Sequence, residues 1–172
     1  GLANLGVEEY VKIKIPYLNK LKTNLIINIA GSTFEDYIET MEILESSSGN
    51  QVGYEINISC PNVKEGGMEF GVDSGLTSKL TSELRSRTDK LLIIKLTPNV
   101  TDISEIGLAA ENSGADAVSA INTVVGMAID LSSKTPKLST GIGGLSGPCI
   151  KPIAIANVYK LHSSISIPII GI

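Results

Sequence analysis

Five short apolar runs alternate with stretches of helical periodicity along the chain, and this alternation most constrains its fold. The runs are TNLIINIAG (23–31), VGYEINIS (52–59), LLIIKLTP (91–98), DAVSAINT (116–123) and IPIIGI (167–172). Short runs rich in isoleucine, leucine and valine are typical of strands buried on both faces. Strands that alternate with helices predict a parallel sheet with right-handed crossovers, and therefore an α/β fold.

Four helices are predicted between these strands. The first starts with a capping box formed by Ser32 and Glu35. The second carries a stripe of leucines at helical spacing, and the third is predicted to begin with Thr101 as its N-cap. A long loop then leads to a fourth helix over roughly 149–163.

The composition fits one globular domain. The 172 residues are 42% hydrophobic and 19% charged, which is ordinary for such a domain. A net charge of -4 provides no basic face for nucleic acid, and the apolar runs are too short to span a membrane. Cys60 and Cys149 have neither metal-ligand nor disulfide-framework spacing, so we predict no metal and a cytoplasmic location.

Polar side chains lie at or near the carboxyl ends of four successive strands. They are Asn28, Asn57 with Cys60, Lys95, and Asn122 with Thr123. In a doubly wound open sheet, ligands bind where the strand order reverses, so most strand ends carry no functional residue. In a (β/α)8 barrel all strand ends face one axis and can share one ligand. The sequence therefore favours the barrel.

The length predicts part of such a barrel. A complete TIM barrel has about 250 residues and eight strands, whereas residues 1–172 supply about five parallel strands with intervening helices. The chain also begins at Gly1 without a methionine and stops inside its fifth apolar run. We therefore expect residues 1–172 to be a single domain that is a fragment of a TIM barrel, missing three strands.

Lys95 and two asparagines each have a structural and a functional interpretation. Lys95 lies within an apolar strand, where an unpaired ammonium is costly. It either forms a structural ion pair or reaches the strand end, or it is aimed at an anionic ligand or intermediate. Asn57 and Asn122 either cap their own loops or present amides to a flat ring with amide-like edges.

Cys60 directly follows the second strand and precedes Pro61. A lone cysteine is more often inert filling than catalytic, but its place at a strand end favours a chemical role. The single histidine, His162, is predicted near the end of a helix at the surface, which disfavours a thiolate–histidine hydrolase. A cysteine can still act as a general base toward a carbon acid when loop closure removes water.

The segment GIGGLSGP (141–148) precedes the fourth helix. Its glycines permit close backbone approach and a helix N-terminus favours phosphate, although a merely flexible loop is the alternative. The segment matches neither the Walker motif nor GxGxxG. Residue patterns alone thus predict a barrel fragment that binds a phosphorylated ligand near a lysine, amide side chains and a thiol.

Four segments together resemble one enzyme family. They are EINISCPNVKEGGMEFG (55–71), KLTPNVTDI (95–103), INTVVGMAIDL (121–131) and GGLSGPCIKPIA (143–154). The chain resembles the dihydroorotate dehydrogenases from end to end, with the segments in that family's order. Class 2 enzymes carry serine where Cys60 stands, and the KEGGMEFG continuation is similar to the catalytic flavoprotein subunit of class 1B.

The resemblance implies oxidation of (S)-dihydroorotate to orotate in pyrimidine (UMP) biosynthesis. Cys60 would be the base that removes the C5 proton, while hydride leaves C6 for N5 of FMN. The residues implied to hold the substrate come from several strand ends and loops: Gly1, Leu2, Asn57, Asn62, Asn122 and Thr123.

The resemblance also implies an FMN site. Lys95 would lie at the flavin ring, where a cation stabilises negative charge. Asn28, Asn57 and Ile121 would contact the flavin. The backbone of Gly147 would approach the phosphate.

Partners and alternatives follow from the same resemblance. Class 1B implies a homodimer of catalytic subunits with a partner subunit that carries FAD and an iron–sulfur cluster and passes electrons to NAD. The family's first two strands and its last strand are absent from residues 1–172, so we expect these residues alone to be inactive. The alternatives are a class 1A enzyme that uses fumarate, a flavoprotein similar to dihydropyrimidine dehydrogenase, and a non-catalytic barrel that binds a phosphorylated metabolite.

Overall fold

The computed structural model describes residues 4–59 and 70–172. The strands are β1 (Ile26–Ile29), β2 (Gly53–Asn57), β3 (Leu91–Leu96), β4 (Ala117–Ala120), β5 (Val124–Gly126), β6 (Ile129–Asp130), β7 (Thr135–Pro136), β8 (Gly143–Leu145) and β9 (Ile169–Gly171). The five strands β1 to β4 and β9 each lie within one of the predicted apolar runs.

The α-helices are α1 (Val7–Glu9), α2 (Ile15–Leu18), α3 (Phe34–Glu45), α4 (Ser74–Arg85), α5 (Ile103–Asn112) and α6 (Lys151–His162). A π-helical stretch over Tyr10–Lys14 joins α1 to α2, and this helical segment before β1 is not predicted by the sequence patterns. Short 3-10 helices precede α4 and α6, at Phe70–Val72 and Pro148–Ile150. No helix in the described ranges is both long and apolar enough to cross a membrane.

Five strands form one parallel sheet in the order β1-β2-β3-β4-β9. Each of these strands lies beside the next parallel strand along the chain, so the described sheet has no reversal of strand order. A doubly wound sheet requires such a reversal, whereas a (β/α)8 barrel adds its strands in chain order. The predicted α/β fold, part of a TIM barrel, is confirmed.

The sheet curves toward one of its faces. The hydroxyl of Ser119 on β4 donates a hydrogen bond of 2.6 Å to the carboxylate of Glu55 on β2, although β3 lies between them. Strands two apart in a flat sheet are separated by about 10 Å. A serine meets this carboxylate because the sheet bends toward the face that carries both residues, which is the geometry of a barrel wall.

The two faces of the sheet have different environments. Fully buried side chains pack under the helices on one face, among them Tyr54, Ile56, Leu92, Ile94 and Val118. On the opposite face Ile26, Leu91 and Ile170 are 46%, 47% and 41% exposed. We call this second face, which the described helices leave uncovered, the inner face, because it corresponds to the interior of a closed barrel.

The capping box of α3 lies one residue later than predicted. The hydroxyl of Thr33 accepts from the backbone N–H of Asp36 at 3.1 Å, and the Asp36 carboxylate accepts from the backbone N–H of Thr33 at 3.0 Å. The predicted pair of Ser32 and Glu35 was therefore wrong. Both pairs have suitable side chains, and the packing of Tyr37 in the core selects which one starts the helix.

The start of α5 is also shifted from the prediction. Asp102, rather than Thr101, is the N-cap, and its carboxylate accepts from the backbone N–H of Ser104 at 3.0 Å. A carboxylate accepts this bond more strongly than a hydroxyl and is favoured at the positive end of the helix.

The long predicted loop between β4 and the last helix contains two short antiparallel ladders. Strand β5 pairs with β8, and β6 pairs with β7. Three residues of the glycine-rich segment 141–148 therefore form a strand rather than a loop. The remainder of the segment leads through Gly147, at φ +93°, into the 3-10 helix before α6.

A polar cluster supports the fold at the end of α3. One carboxylate oxygen of Glu45 accepts hydrogen bonds from the hydroxyls of Tyr54 and Thr88, each at 2.7 Å. The ammonium of Lys90 contacts both oxygens, at 2.8 and 2.9 Å. Burial would raise the pKa of Glu45, but these hydrogen bonds outweigh burial and hold that pKa below its usual range.

Replacement of Glu45 by alanine in the full-length protein should lower the free energy of unfolding by about 2 kcal/mol at neutral pH. The two hydroxyls and the ammonium that bind this carboxylate would then lose their shared partner. Water replaces that partner poorly, because only 24% of the Glu45 side chain is exposed. Because the folded pKa of Glu45 is lowered, its contribution is present above the unfolded pKa of glutamate and is lost as the pH falls through the folded value. Urea unfolding at pH 7 and at progressively lower pH measures both effects.

The matched control is Glu42, which pairs with Arg87 at 3.0 Å and is 57% exposed. Its replacement by alanine should cost less than about 1 kcal/mol, because exposed ion pairs contribute little. Equal losses for the Glu42 and Glu45 variants would contradict the structural role of the Glu45 cluster.

Candidate functional site

Three of the polar side chains predicted at the strand ends, those of Asn28, Asn57 and Lys95, lie on the inner face. Asn57 on β2, Lys95 on β3 and Ser119 on β4 are register partners and form one row across the sheet. Asn28 on β1 and Glu55 on β2 form a second row, one layer further from the carboxyl ends. The parallel alignment of the strands brings these residues together, although Asn28 and Ser119 are 91 positions apart in the chain.

Glu55 connects the two rows. Its Oε2 accepts a hydrogen bond of 2.6 Å from Nδ2 of Asn28, and its Oε1 accepts one of 2.6 Å from the hydroxyl of Ser119. The ammonium of Lys95 lies 3.8 Å from the same Oε1. The side chains of Lys95 and Glu55 are only 18% and 22% exposed, so this ion pair is largely withdrawn from water.

The contact between Lys95 and Glu55 bears on both interpretations of the lysine. A structural ion pair is present, but 3.8 Å is too long for a hydrogen bond. The three N–H groups of the ammonium are therefore not donated to any residue in the described ranges. Lys95 is held by charge and still has its donors available for an anionic or carbonyl-bearing ligand.

Asn57 and Asn122 form a second hydrogen-bonded unit at the strand ends. Nδ2 of Asn122 donates to Oδ1 of Asn57 at 2.9 Å, and the backbone N–H of Ser59 donates to the same oxygen at 3.3 Å. The hydroxyl of Tyr37, fully buried under the sheet, donates to the backbone carbonyl of Asn57 at 2.7 Å. The two bonds to Oδ1 hold the Asn57 amide in one orientation, and the Tyr37 bond fixes the backbone of the same residue.

The hydrogen-bond pattern decides what each amide can offer a ligand. The oxygen of Asn57 is engaged, so its Nδ2 remains a donor without a partner in the described part of the chain. The nitrogen of Asn28 is engaged by a carboxylate, so its Oδ1 remains an acceptor. Together with the Lys95 ammonium, the inner face presents a cation, an amide donor and an amide acceptor, a set that suits a flat heterocycle with carbonyl and N–H edges.

Asn99 organises the loop that follows β4. Its Nδ2 donates to the hydroxyl of Thr97 and to the backbone carbonyl of Thr123, both at 2.9 Å. Its Oδ1 accepts from the backbone N–H of Val125 at 2.9 Å. Thr123, predicted to bind substrate, is exposed, and its backbone N–H donates to Oδ1 of Asn122 at 2.8 Å. Asn99 therefore fixes the backbone at and just after this predicted contact.

Two predicted cofactor residues lie in different settings. Ile121 follows β4 and is buried in the core, 5% exposed. Gly147 is exposed and immediately precedes the 3-10 helix that leads into α6. Its positive φ of +93° suits glycine. A Cβ atom added at this position would meet no other atom within 4 Å, so the space beside Gly147 is open.

Several predicted site residues lie outside the described ranges: Gly1, Leu2, Cys60 and Asn62. His162 is the last residue of α6 and is exposed, as predicted. Within residues 4–59 and 70–172, no three side chains of the metal-binding types are grouped to hold a metal ion.

Sequence patterns missed Glu55, Ser119 and Asn99. A signal for Glu55 was present, because its side chain points to the same side of β2 as Asn57, two residues on. A charged residue in the middle of an otherwise apolar strand needs a partner. Ser119 and Asn99 carry no comparable signal, since their roles depend on contacts with distant strands and loops.

Comparisons with known proteins agree with this architecture. A sequence model of the family described as dihydroorotate dehydrogenase matches residues 1–172. Proteins named dihydroorotate dehydrogenase B (NAD(+)), catalytic subunit, are 49% identical over 172 residues in Bacteroides thetaiotaomicron and 48% identical over 171 residues in Porphyromonas gingivalis. The protein with that name from Desulforamulus reducens is 45% identical over 171 residues.

These matches cover 100%, 99% and 99% of this chain, respectively, and 56%, 55% and 56% of the relatives. The chain thus spans about half the length of the curated relatives it matches. The match includes every strand of the parallel sheet and the polar residues on its inner face. The chain belongs to the dihydroorotate dehydrogenase family.

Proposed function

We propose that the full-length protein oxidises (S)-dihydroorotate to orotate in pyrimidine biosynthesis, with FMN as the hydride acceptor and NAD as the final electron acceptor. Membership of the dihydroorotate dehydrogenase family supports the reaction. The observation that carries the proposal is the convergence of Lys95, Asn28 and Asn57 on the inner face. The relatives named as NAD(+) enzymes support NAD over fumarate.

The donor set of the inner face fits a flavin ring. Dihydroorotate dehydrogenases are generally flavin-dependent, and bound FMN would accept the hydride. Lys95 would stabilise negative charge on the ring, while Asn28 and Asn57 would hydrogen-bond its polar edge and Ile121 would contact it. Gly147 would approach the phosphate through its backbone, in the open space before α6.

The substrate would bind beside the cofactor, near the loops at the strand ends. Asn57, Asn122 and Thr123 would hold the pyrimidine ring and carboxylate, with contributions from the residues outside the described ranges, namely Gly1, Leu2 and Asn62. Cys60 would remove the proton from C5. It directly follows Ser59, whose backbone N–H donates to the Asn57 amide.

The remainder of the barrel and the partner proteins belong to the same proposal. Residues 1–172 would form one domain that lacks the first two strands and the last strand of the barrel. The relatives' name "catalytic subunit" implies a further subunit in those proteins. We propose that it carries FAD and an iron–sulfur cluster here, that catalytic subunits form a homodimer, and that the complex is cytoplasmic.

The decisive experiment is anaerobic titration of the purified full-length protein with dihydroorotate. A yellow flavin spectrum that is bleached by the substrate, and restored by NAD through the partner subunit, is expected. Restoration by fumarate alone would assign the protein to class 1A instead. Absence of any flavin spectrum after supply of FMN would favour a barrel that only binds a phosphorylated metabolite.

The turnover number should rise with pH through a thiol-like pKa if Cys60 is the base. A free cysteine has a pKa of about 8.5, and only its thiolate accepts a proton from carbon. The rate is therefore expected to be low at pH 6 and to reach a plateau above the cysteine pKa. Single-turnover flavin bleaching from pH 6 to 9 measures the chemical step; a flat profile would argue against a thiolate base.

A further inference from the structure

We propose that Glu55 is a positioning residue of the flavin site: it holds the Lys95 ammonium and orients the Asn28 amide. This inference rests on the proposed function, because it assumes that a flavin occupies the inner face. It assigns a role to a carboxylate that touches neither the proposed cofactor nor the substrate directly.

The position of Glu55 is the first reason. It lies in the middle of β2, one layer further from the carboxyl ends than Asn57 and Lys95. From there its carboxylate contacts side chains on β1, β3 and β4. A single residue thus links four neighbouring strands just beneath the row of side chains proposed to meet the ligand.

The chemistry of the carboxylate is the second reason. An ionised carboxylate only accepts hydrogen bonds, so Asn28 must turn its NH₂ group toward Glu55 and its oxygen away. Without this partner the amide could adopt either orientation. Glu55 thereby makes Asn28 an acceptor toward the ligand, which selects a ring edge that offers N–H.

The charge of Glu55 is the third reason. Its Oε1 lies 3.8 Å from the Lys95 ammonium, in a setting where both side chains are largely withdrawn from water. Reduction adds negative charge to a flavin ring, and a nearby cation favours that state. By holding the ammonium and offsetting its charge, Glu55 would limit how strongly Lys95 favours the reduced ring.

The test compares the flavin midpoint potential of the FMN-loaded full-length enzyme with that of two variants. Glu55→Gln keeps the shape of the side chain and removes its charge, so the potential should rise. We expect the ratio of reduced to oxidised flavin at a fixed electrode potential to increase about tenfold, which is about 30 mV for a two-electron couple. Lys95→Met should lower the potential.

The double variant separates positioning from simple charge removal. In the Lys95→Met background, Glu55→Gln should have a clearly smaller effect, because no ammonium remains for the carboxylate to hold. Equal shifts in both backgrounds would overturn the positioning role. Glu39→Gln, the same chemical change at an exposed site on α3, should leave the potential unchanged.

A second variant keeps the proposal testable if Glu55→Gln fails to fold. Glu55→Asp retains the charge but draws it back from Lys95, and a smaller rise of the potential is expected. If the midpoint potential rises in neither Glu55 variant, the inference is overturned. The proposed function is then still intact, provided that dihydroorotate bleaches the wild-type flavin. A wild-type protein that binds no flavin would overturn both together.

Discussion

Replacement of Cys60 by alanine is expected to abolish dihydroorotate oxidation in the full-length enzyme while FMN remains bound. The variant lacks the proposed base for the C5 proton, and a positioned general base contributes about 10²–10⁴ in rate. The proposed FMN contacts from Lys95, Asn28 and Asn57 are unchanged. Turnover and flavin content of the same preparation measure the two expectations independently.

The other cysteine provides a matched control. Cys149 is exposed, and its thiol lies 3.7 Å from the backbone carbonyl of Ser146. Cys149→Ala removes the same chemical group from another part of the chain, and turnover close to that of the wild type is expected. A Cys60→Ala variant with near-normal turnover would remove Cys60 from the mechanism.

Replacement of Asn57 by leucine is expected to lower kcat/KM by about a hundredfold or more, the loss seen when one well-placed amide donor is removed from an active site. Leucine has a similar size but neither donates nor accepts. The change removes Nδ2, which has no partner among the described residues, and also the acceptor for Asn122 and Ser59. Both the proposed cofactor and the proposed substrate would lose a contact.

Steady-state kinetics and FMN affinity of the full-length variant measure this loss. Asn112→Leu, at the exposed end of α5, applies the same change away from the inner face and should leave both quantities near their wild-type values. A small effect of Asn57→Leu on both kcat/KM and FMN affinity would show that Asn57 only supports the loop after β2.

The strand ends show how much of the site was predictable. Asn28, Asn57 and Lys95 could be predicted to meet because they end or nearly end apolar runs, and parallel strands place such ends at one edge. Their hydrogen-bond partners could not be predicted. The orientation of the Asn57 amide depends on Asn122, 65 residues away, and that of Asn28 on Glu55.

The helix starts illustrate a different limit. Ser32 and Thr33 are adjacent, and each precedes an acidic residue by three positions, so local sequence permits two capping boxes. The burial of Tyr37 and Met41 against the sheet sets the rotation of α3 and thereby selects Thr33. Boundaries of this kind depend on tertiary packing.

The amino-acid sequence by itself determined the alternation of strands and helices, the parallel sheet and the family, because these depend on local periodicity and on contiguous motifs. Only the tertiary structure decided that Glu55 joins Asn28, Lys95 and Ser119 on the inner face. That contact requires the register of four strands and the curvature of the sheet. Both arise from packing between segments that are distant in the chain, and no local pattern records them.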